Sequence, residues 1–241
     1  MKKFILIIVC AISINISYAQ DYTVLRNYMS AAEKAIEDDK SNDAIEYFKK
    51  AASIAPDNFV PLYMLGQVYN SLNNIPTAAQ YYTRALSLIS ANTLSQKIYE
   101  CYGTTDDVSY RKIMTSIYDV LAVYNKNAGQ ISLAKRYNNL NIRLNIDYGY
   151  KAPVVSSLER IYSCYADEGK WNECFEYFTE IRMVIPHGGA WGMCEAVWHA
   201  VMGDCYAHFG KEREMINEYQ QAARLGHINA INYLKNAGIA Y

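Results

Sequence analysis

Cys194, Glu195, His199, Cys205 and His208 bring together, in one short stretch, the residue types that hold a transition metal or move protons. Read as a helix, the stretch places Glu195 with His199 at i, i+4 and Cys205 with His208 at i, i+3, the spacings at which two side chains on one face can grip zinc. The set does not converge, because His199 and His208 are nine residues apart, which at 3.6 residues per turn puts them on opposite sides of a straight helix. A metal-dependent enzyme using the Cys194–His208 region is therefore the weakest reading, and no metal, cofactor or catalytic residue is expected. His187-Gly188-Gly189-x-x-Gly192 has the look of a phosphate cradle. It follows Pro186 rather than a strand, so the context of a dinucleotide- or phosphate-binding loop is missing, and it reads as a connecting loop. No Ser-His-Asp or Cys-His set can be named from spacing, since such sets are defined by geometry.

Tyrosine is the abundant resource, with 23 Tyr against 6 Phe. A phenol ring offers rigid apolar area and a hydroxyl, which suits peptide capture and sugar stacking alike. The elements that must position these rings follow a helical repeat. Ala44-x3-Phe48-x2-Ala51 ahead of Pro56 recurs 34 residues on as Ala78-x3-Tyr82-x2-Ala85. Leu62, Leu65, Gly66 and Tyr69 sit at i, i+3, i+4 and i+7, one helical face. Gly66 costs about 1 kcal/mol against Ala inside a helix, so it predicts a close approach by the partner helix, placed at Ala78. On the first helix, Ala31, Ala35 and Ile36 are the expected inner face. Pro56 lacks an N–H and disfavours helical geometry at Ala55, ending the second helix.

The period, the Leu62-x2-Leu65-Gly66-x2-Tyr69 half-motif and the Ala-x3-aromatic pattern resemble the tetratricopeptide repeat (TPR) family. The resemblance implies an all-α, TPR-like helical-hairpin solenoid of about five repeats over residues 20–241. Their bounds are about 25–58, 59–92, 114–147, 155–188 and 196–229, with an irregular stretch at 93–113 and a capping helix at 228–237. Ala222 to His227, followed by Ala230 and Leu234, resembles the related Sel1-type repeat. Hairpins of this kind bury their apolar faces against neighbours and leave the surface of the first helices free to bind. By repeat register that surface carries Tyr63, Gln67, Asn70, Tyr118, Asp119, Asn125, Glu159, Arg160, Ser163, Asp204 and His208. Tyr69, Tyr82, Tyr165, Tyr206 and Tyr219 fall at core or half-buried positions instead. Arg26 and Arg160 are far apart in register, so the basic clamp by which some TPR proteins hold acidic chaperone tails is not expected. The family shares a scaffold rather than an activity. The function it implies is a non-enzymatic scaffold binding a protein or peptide partner. A glycan or peptidoglycan ligand is the alternative.

Lys2 and Lys3 precede an apolar run from Phe4 to Ile14, and Ser17-Tyr18-Ala19 forms a small-x-small cleavage pattern, so residues 1–19 are predicted to be a signal peptide that leaves Gln20 first. The run is shorter than the ~18 residues of a spanning helix, so no transmembrane segment is expected after cleavage, and the scaffold is placed in the periplasm, the cell envelope or outside the cell. Loss of Lys2 and Lys3 leaves 21 basic against 24 acidic residues. With no basic face to neutralise phosphates, nucleic acid is excluded as a partner. Five cysteines remain: Cys101, Cys164, Cys174, Cys194 and Cys205. An oxidising compartment permits disulfides, the odd count leaves at least one thiol free, and small packed helical positions are the expectation for most of them.

Overall fold

The computed structural model describes residues 22–90, 92–105 and 109–241. The expected signal peptide thus lies outside the described residues. Within them the chain is all-α, twelve helices and one short 3-10 turn, without a strand. None of these helices is long and apolar enough to cross a membrane. The chain divides into two compact units, Met1–Ile113 and Met114–Tyr241.

The first unit stacks two hairpins and a docked helix: α1 (residues 22–37) with α2 (Ser41–Ile54), α3 (Phe59–Ser71) with α4 (Ile75–Leu88), then α5 (Leu94–Tyr102). Each turn is written locally. Asp39 and Asn73, 34 residues apart, both take left-handed φ (58° and 56°), a conformation in which a short polar side chain is tolerated. The Asn58 side chain caps α3 by accepting from the Val60 N–H at 3.0 Å, and Asn74 caps α4 by accepting from Thr77 at 3.2 Å with Pro76 in the first turn.

The inner face of α1 differs from its expected register. Leu25, Met29, Ala32 and Ala35 are buried, Ala31 is half-buried, and Ile36 is 41% exposed. The stripe of large side chains at i and i+4, Leu25 and Met29, decides which way the helix turns, and Ile36 is left in the last turn beside the connection to α2. Gly66 also meets a different partner. A Cβ there would fall 2.5 Å from the Tyr82 ring, so it is Tyr82, one turn beyond Ala78, that fills the hole.

The stretch where the repeat pattern lapses is held by polar anchors. Asn58 donates to the Lys97 carbonyl at 2.9 Å and to the buried Glu100 carboxylate at 3.1 Å. Lys97 pairs with Asp57 at 2.7 Å and Glu100 at 3.3 Å, while Arg26 donates to the Tyr99 and Glu100 carbonyls. Buried polar groups that find partners in this way fix one docking position for α5.

The second unit holds most of α6 (Tyr110–Asn127), then α7 (Ile131–Asp147), α8 (Ala152–Glu168), α9 (Trp171–Ile181), α10 (Gly192–His208), α11 (Glu212–Arg224) and α12 (Ile228–Asn236). One cluster packs α8, α9 and α10 through Leu158, Ile161, Phe178 and Val201. Another packs α10, α11 and α12 through Ala200, Tyr219, Ala222 and Leu234. Between α6, α7 and α8 polar groups are buried beside the apolar contact of Ile142 with Val154 and Leu158. Asn138, Asn141 and Asn145 are buried in one row on α7, where Asn141 donates to Asp119 and Ser157 and Asn145 donates to Thr115. All five described cysteines are buried free thiols.

Candidate functional site

The second unit carries a cavity of about 460 Å³ whose walls come from four helices. Glu159 and Tyr162 project from α8, and Val197, Ala200, Val201 and Asp204 from α10. Tyr219 comes from α11, and His227, Asn229, Ala230 and Tyr233 close the far side on and just before α12.

Its construction starts at Gly203. A Cβ there would meet the Tyr219 ring at 2.5 Å, so only a bare backbone lets that ring lie against α10. From this position the Tyr219 hydroxyl donates to Asp204 Oδ1 at 2.5 Å, and the same carboxylate acts on the Tyr162 phenol across the cavity. Burial first, and the Asp204 carboxylate second, raise both phenols well above the ordinary tyrosine range, so both stay protonated. The rings of Tyr219 and Tyr233 meet at 4.8 Å. His227 caps α12, its Nδ1 accepting from the Ala230 N–H at 3.4 Å, which leaves the ring proton on Nε2. Burial lowers the His227 pKa from 6.5, against the opposing pull of Asp204 and Glu159, and the ring is neutral at pH 7.

Of the residues that repeat register assigns to the groove, Glu159 and Asp204 meet in this cavity. Others are engaged elsewhere. Asp119 is gripped by Arg160 and Asn141, and burial raises its pKa against the pull of Arg160. Arg160 also donates to Asn138. Asn125 is buried and donates to the Leu121 carbonyl at 2.7 Å. Ser163 accepts from Lys126 at 2.7 Å and donates to the Arg160 carbonyl. Tyr118 packs on Tyr137, and His208 lies flat on Trp171 with centroids 3.6 Å apart. In the first unit Gln67 donates to the Tyr63 hydroxyl, the Tyr63 ring packs on Tyr82, and Asn70 is half-buried.

The stretch that could have held zinc is likewise divided among separate partners. Cys194 is buried with its thiol toward the Lys151 carbonyl. Glu195 accepts from Arg182 and from the Gly188 N–H, both at 3.1 Å, and so ties down the His187–Gly192 loop. His199 pairs with Glu218 at 2.6 Å. Cys205 hydrogen-bonds Cys174, which raises the Cys174 thiol and lowers that of Cys205. Among the described residues no three His, Cys, Asp or Glu side chains converge on a point.

The sequence reading omitted Tyr162, Tyr219, His227 and Tyr233 from the site. Tyr219 sits at a core offset, and only its ring is core; its hydroxyl emerges into the cavity. The signal available in sequence was Gly203 sixteen residues before Tyr219, the same separation as Gly66 and Tyr82.

Residues 26–58 and 61–92 match the family model described as tetratricopeptide repeat. Among solved structures, YrrB, described as a TPR protein with an unusual peptide-binding site, is 17% identical over 86% of this chain and 90% of its own, with a TM-score of 0.54. MamA is 15% identical over 90% of this chain and 97% of its own, with a TM-score of 0.55. At such identities the likeness speaks for the fold. No curated protein matches the sequence. The chain thus carries two tetratricopeptide repeats, at 26–58 and 61–92, within an all-α, TPR-like fold.

Proposed function

We propose that the protein is a non-enzymatic scaffold that binds a peptide segment of a protein partner, anchored in the cavity between α8, α10 and α12. The observation that carries this reading is the cavity itself. It has an apolar floor of Val197, Ala200 and Val201, three tyrosines and two carboxylates, and its volume of about 460 Å³ accepts a side chain with its flanking backbone. The groups a reaction would need are already engaged, Asp204 by the Tyr219 phenol and His227 Nδ1 by a helix cap. YrrB, similar in fold, is described as having a peptide-binding site, which supports the class of ligand. A sugar platform needs flat rings side by side and open to solvent. Here the rings of Tyr63 with Tyr82 and of Tyr118 with Tyr137 are tilted pairs 5.8 and 6.1 Å apart, packed within their hairpins.

The Lys2-Lys3 start, the apolar run and the Ser17-Tyr18-Ala19 pattern support export to the periplasm or beyond. Mass spectrometry of protein from the native cell is expected to find Gln20 at the amino terminus; intact Met1 on the accumulated protein overturns export by this route. For binding, a photo-crosslinking amino acid at position 229, on the cavity rim, is expected to capture a partner protein that the same probe at position 176, exposed on α9, does not. Equal capture from both positions, or none from 229, refutes the assignment.

A further inference from the structure

Five carboxylates of the second unit have a basic partner within 4 Å. Asp119 has Arg160, Glu195 has Arg182, Glu218 has His199, Glu168 has Lys135 and Lys170, and Asp167 has Lys126. Glu159 and Asp204, the two that face the cavity, form no ion pair with any described residue. No Lys or Arg lines the cavity. Its titratable groups are Glu159 and Tyr162 from α8, Asp204 from α10, Tyr219 from α11, and His227 and Tyr233 at α12. His227, the one base among them, is half-buried and uses Nδ1 as an acceptor, so it supplies no countercharge at neutral pH. The cavity therefore holds two carboxylates beside aromatic rings, with no Lys or Arg in its lining.

We propose that this cavity takes a cationic side chain, the ammonium of a lysine or the guanidinium of an arginine, from the bound peptide. The inference rests on the peptide-binding reading above and names the chemistry of its anchor. The walls suit such a group in three respects. Asp204 is oriented by the Tyr219 phenol O–H, so its remaining lone pairs are aimed rather than free to rotate. Tyr219 and Tyr233 sit with centroids 4.8 Å apart and tilted by 57°, offering ring surface to a cation, which is attracted within about 6 Å of a ring centre. Val197, Ala200 and Val201 cover the aliphatic stem that a lysine or arginine must bury to bring its charge inward. An acidic or phosphorylated peptide would meet like charge from Glu159 and Asp204, and a purely apolar side chain would leave both carboxylates without a cation in a partly dehydrated space.

The test uses the full-length chain after removal of residues 1–19 and two blocked tripeptides, acetyl-Ala-Lys-Ala-amide and its norleucine counterpart, followed by backbone amide NMR shifts. The lysine peptide is expected to bind at least about tenfold more tightly, with shifts centred on Val201, Asp204 and Tyr233. Glu159→Gln, on an exposed position, is expected to weaken the lysine peptide several-fold without changing helicity, while Glu176→Gln on α9 leaves it unchanged. Raising salt is expected to weaken the lysine peptide and leave the norleucine peptide unaffected. Equal affinity for the two peptides, or a Glu159→Gln variant that binds lysine as well as the native chain, overturns the cationic assignment. If the crosslink at position 229 still captures a partner in that case, the peptide-binding reading stands. If neither peptide shifts the cavity resonances and position 229 captures nothing, both fall.

Discussion

In the first unit the Tyr82 ring lies against Gly66, and in the second the Tyr219 ring lies against Gly203; a Cβ on either glycine would come 2.5 Å from the ring it faces. The separation in sequence is the same, and so is the helix-crossing geometry. The hydroxyls end differently. Tyr82 is fully buried and its Oη has no hydrogen-bond partner among the described residues, whereas Tyr219 donates to Asp204 at the edge of the cavity. At the same repeat offset the first hairpin carries Ala32 and Phe48, both fully buried, a version of the contact with no hydroxyl to satisfy. The ring is thus what the packing requires, and the oxygen is an addition that only the second unit puts to use. The fourth hairpin shows the converse. Tyr162 stands where the small residue belongs, opposite Phe178 by offset, and lines the cavity instead, as Asp204 does.

The largest effect expected from this comparison is at the two glycines. Gly66→Leu and Gly203→Leu should each lower stability by about 1–3 kcal/mol, because the added side chain must displace a buried ring. Denaturant unfolding measures both. They should part company in binding: Gly203→Leu moves Tyr219 and should abolish capture of the lysine peptide at temperatures where the protein is still folded, while Gly66→Leu should leave it intact. Unchanged denaturation midpoints would show that the helices do not approach as closely as the rings require.

Next in size is removal of the hydroxyls alone. Tyr219→Phe deletes a bond to a carboxylate and should cost about 1.5–3 kcal/mol. Tyr82→Phe removes a buried oxygen that lacks a partner and should be neutral or stabilising by up to about 1 kcal/mol. Equal losses in the two variants would break the comparison, since Tyr82 would then have to be satisfied as Tyr219 is.

The same contrast explains what could be read before the structure. The first two hairpins are visible in sequence because their contact is local and repeated: Ala44 with Phe48 and Ala78 with Tyr82, then a break at Pro56 or Ser90. The face of α1 was misread because Ala31 and Ile36 look as apolar as Met29, and only packing of the larger side chains chooses between adjacent registers. Leu94, Ile98 and Cys101 mark helix α5 in the sequence, but not where it docks, since what holds it there is Asn58 reaching Glu100, 42 residues away, and no periodicity encodes a hydrogen bond. Repeat register assigned Glu159 and Asp204 to one surface, and both line the cavity. It could not tell that Asp119 and Arg160, at equally favourable offsets, neutralise one another and so offer little to a ligand. Register gives the direction of a side chain, and the partners it meets there decide whether it is available.

The smallest effect concerns pH, and it separates the units because all four histidines, His187, His199, His208 and His227, lie in the second. Burial holds the His227 pKa below 6.5 in the folded chain, with Asp204 and Glu159 pulling it back up. The unfolded chain therefore takes up a proton that the folded one resists, so this contribution to stability is fully present above pH 6.5 and shrinks as the pH falls toward 5. The first unit has a different signature. Asp57, whose pKa Lys97 holds below 3.8, contributes stability that is lost only as the pH falls through that lower range. Replacing His227→Asn keeps a capping side chain at the start of α12 while removing the titration, so the variant should show a flatter dependence of its thermal midpoint between pH 7 and 5. Occupation of the cavity gives a sharper version of the same measurement. A bound ammonium beside Glu159 and Asp204 would offset the two charges that favour the imidazolium, so the lysine peptide should lower the His227 pKa further and the norleucine peptide should not. An NMR titration of the His227 ring in the presence of each peptide reads this directly, and a pKa that rises or stays fixed with the lysine peptide would place the cation elsewhere.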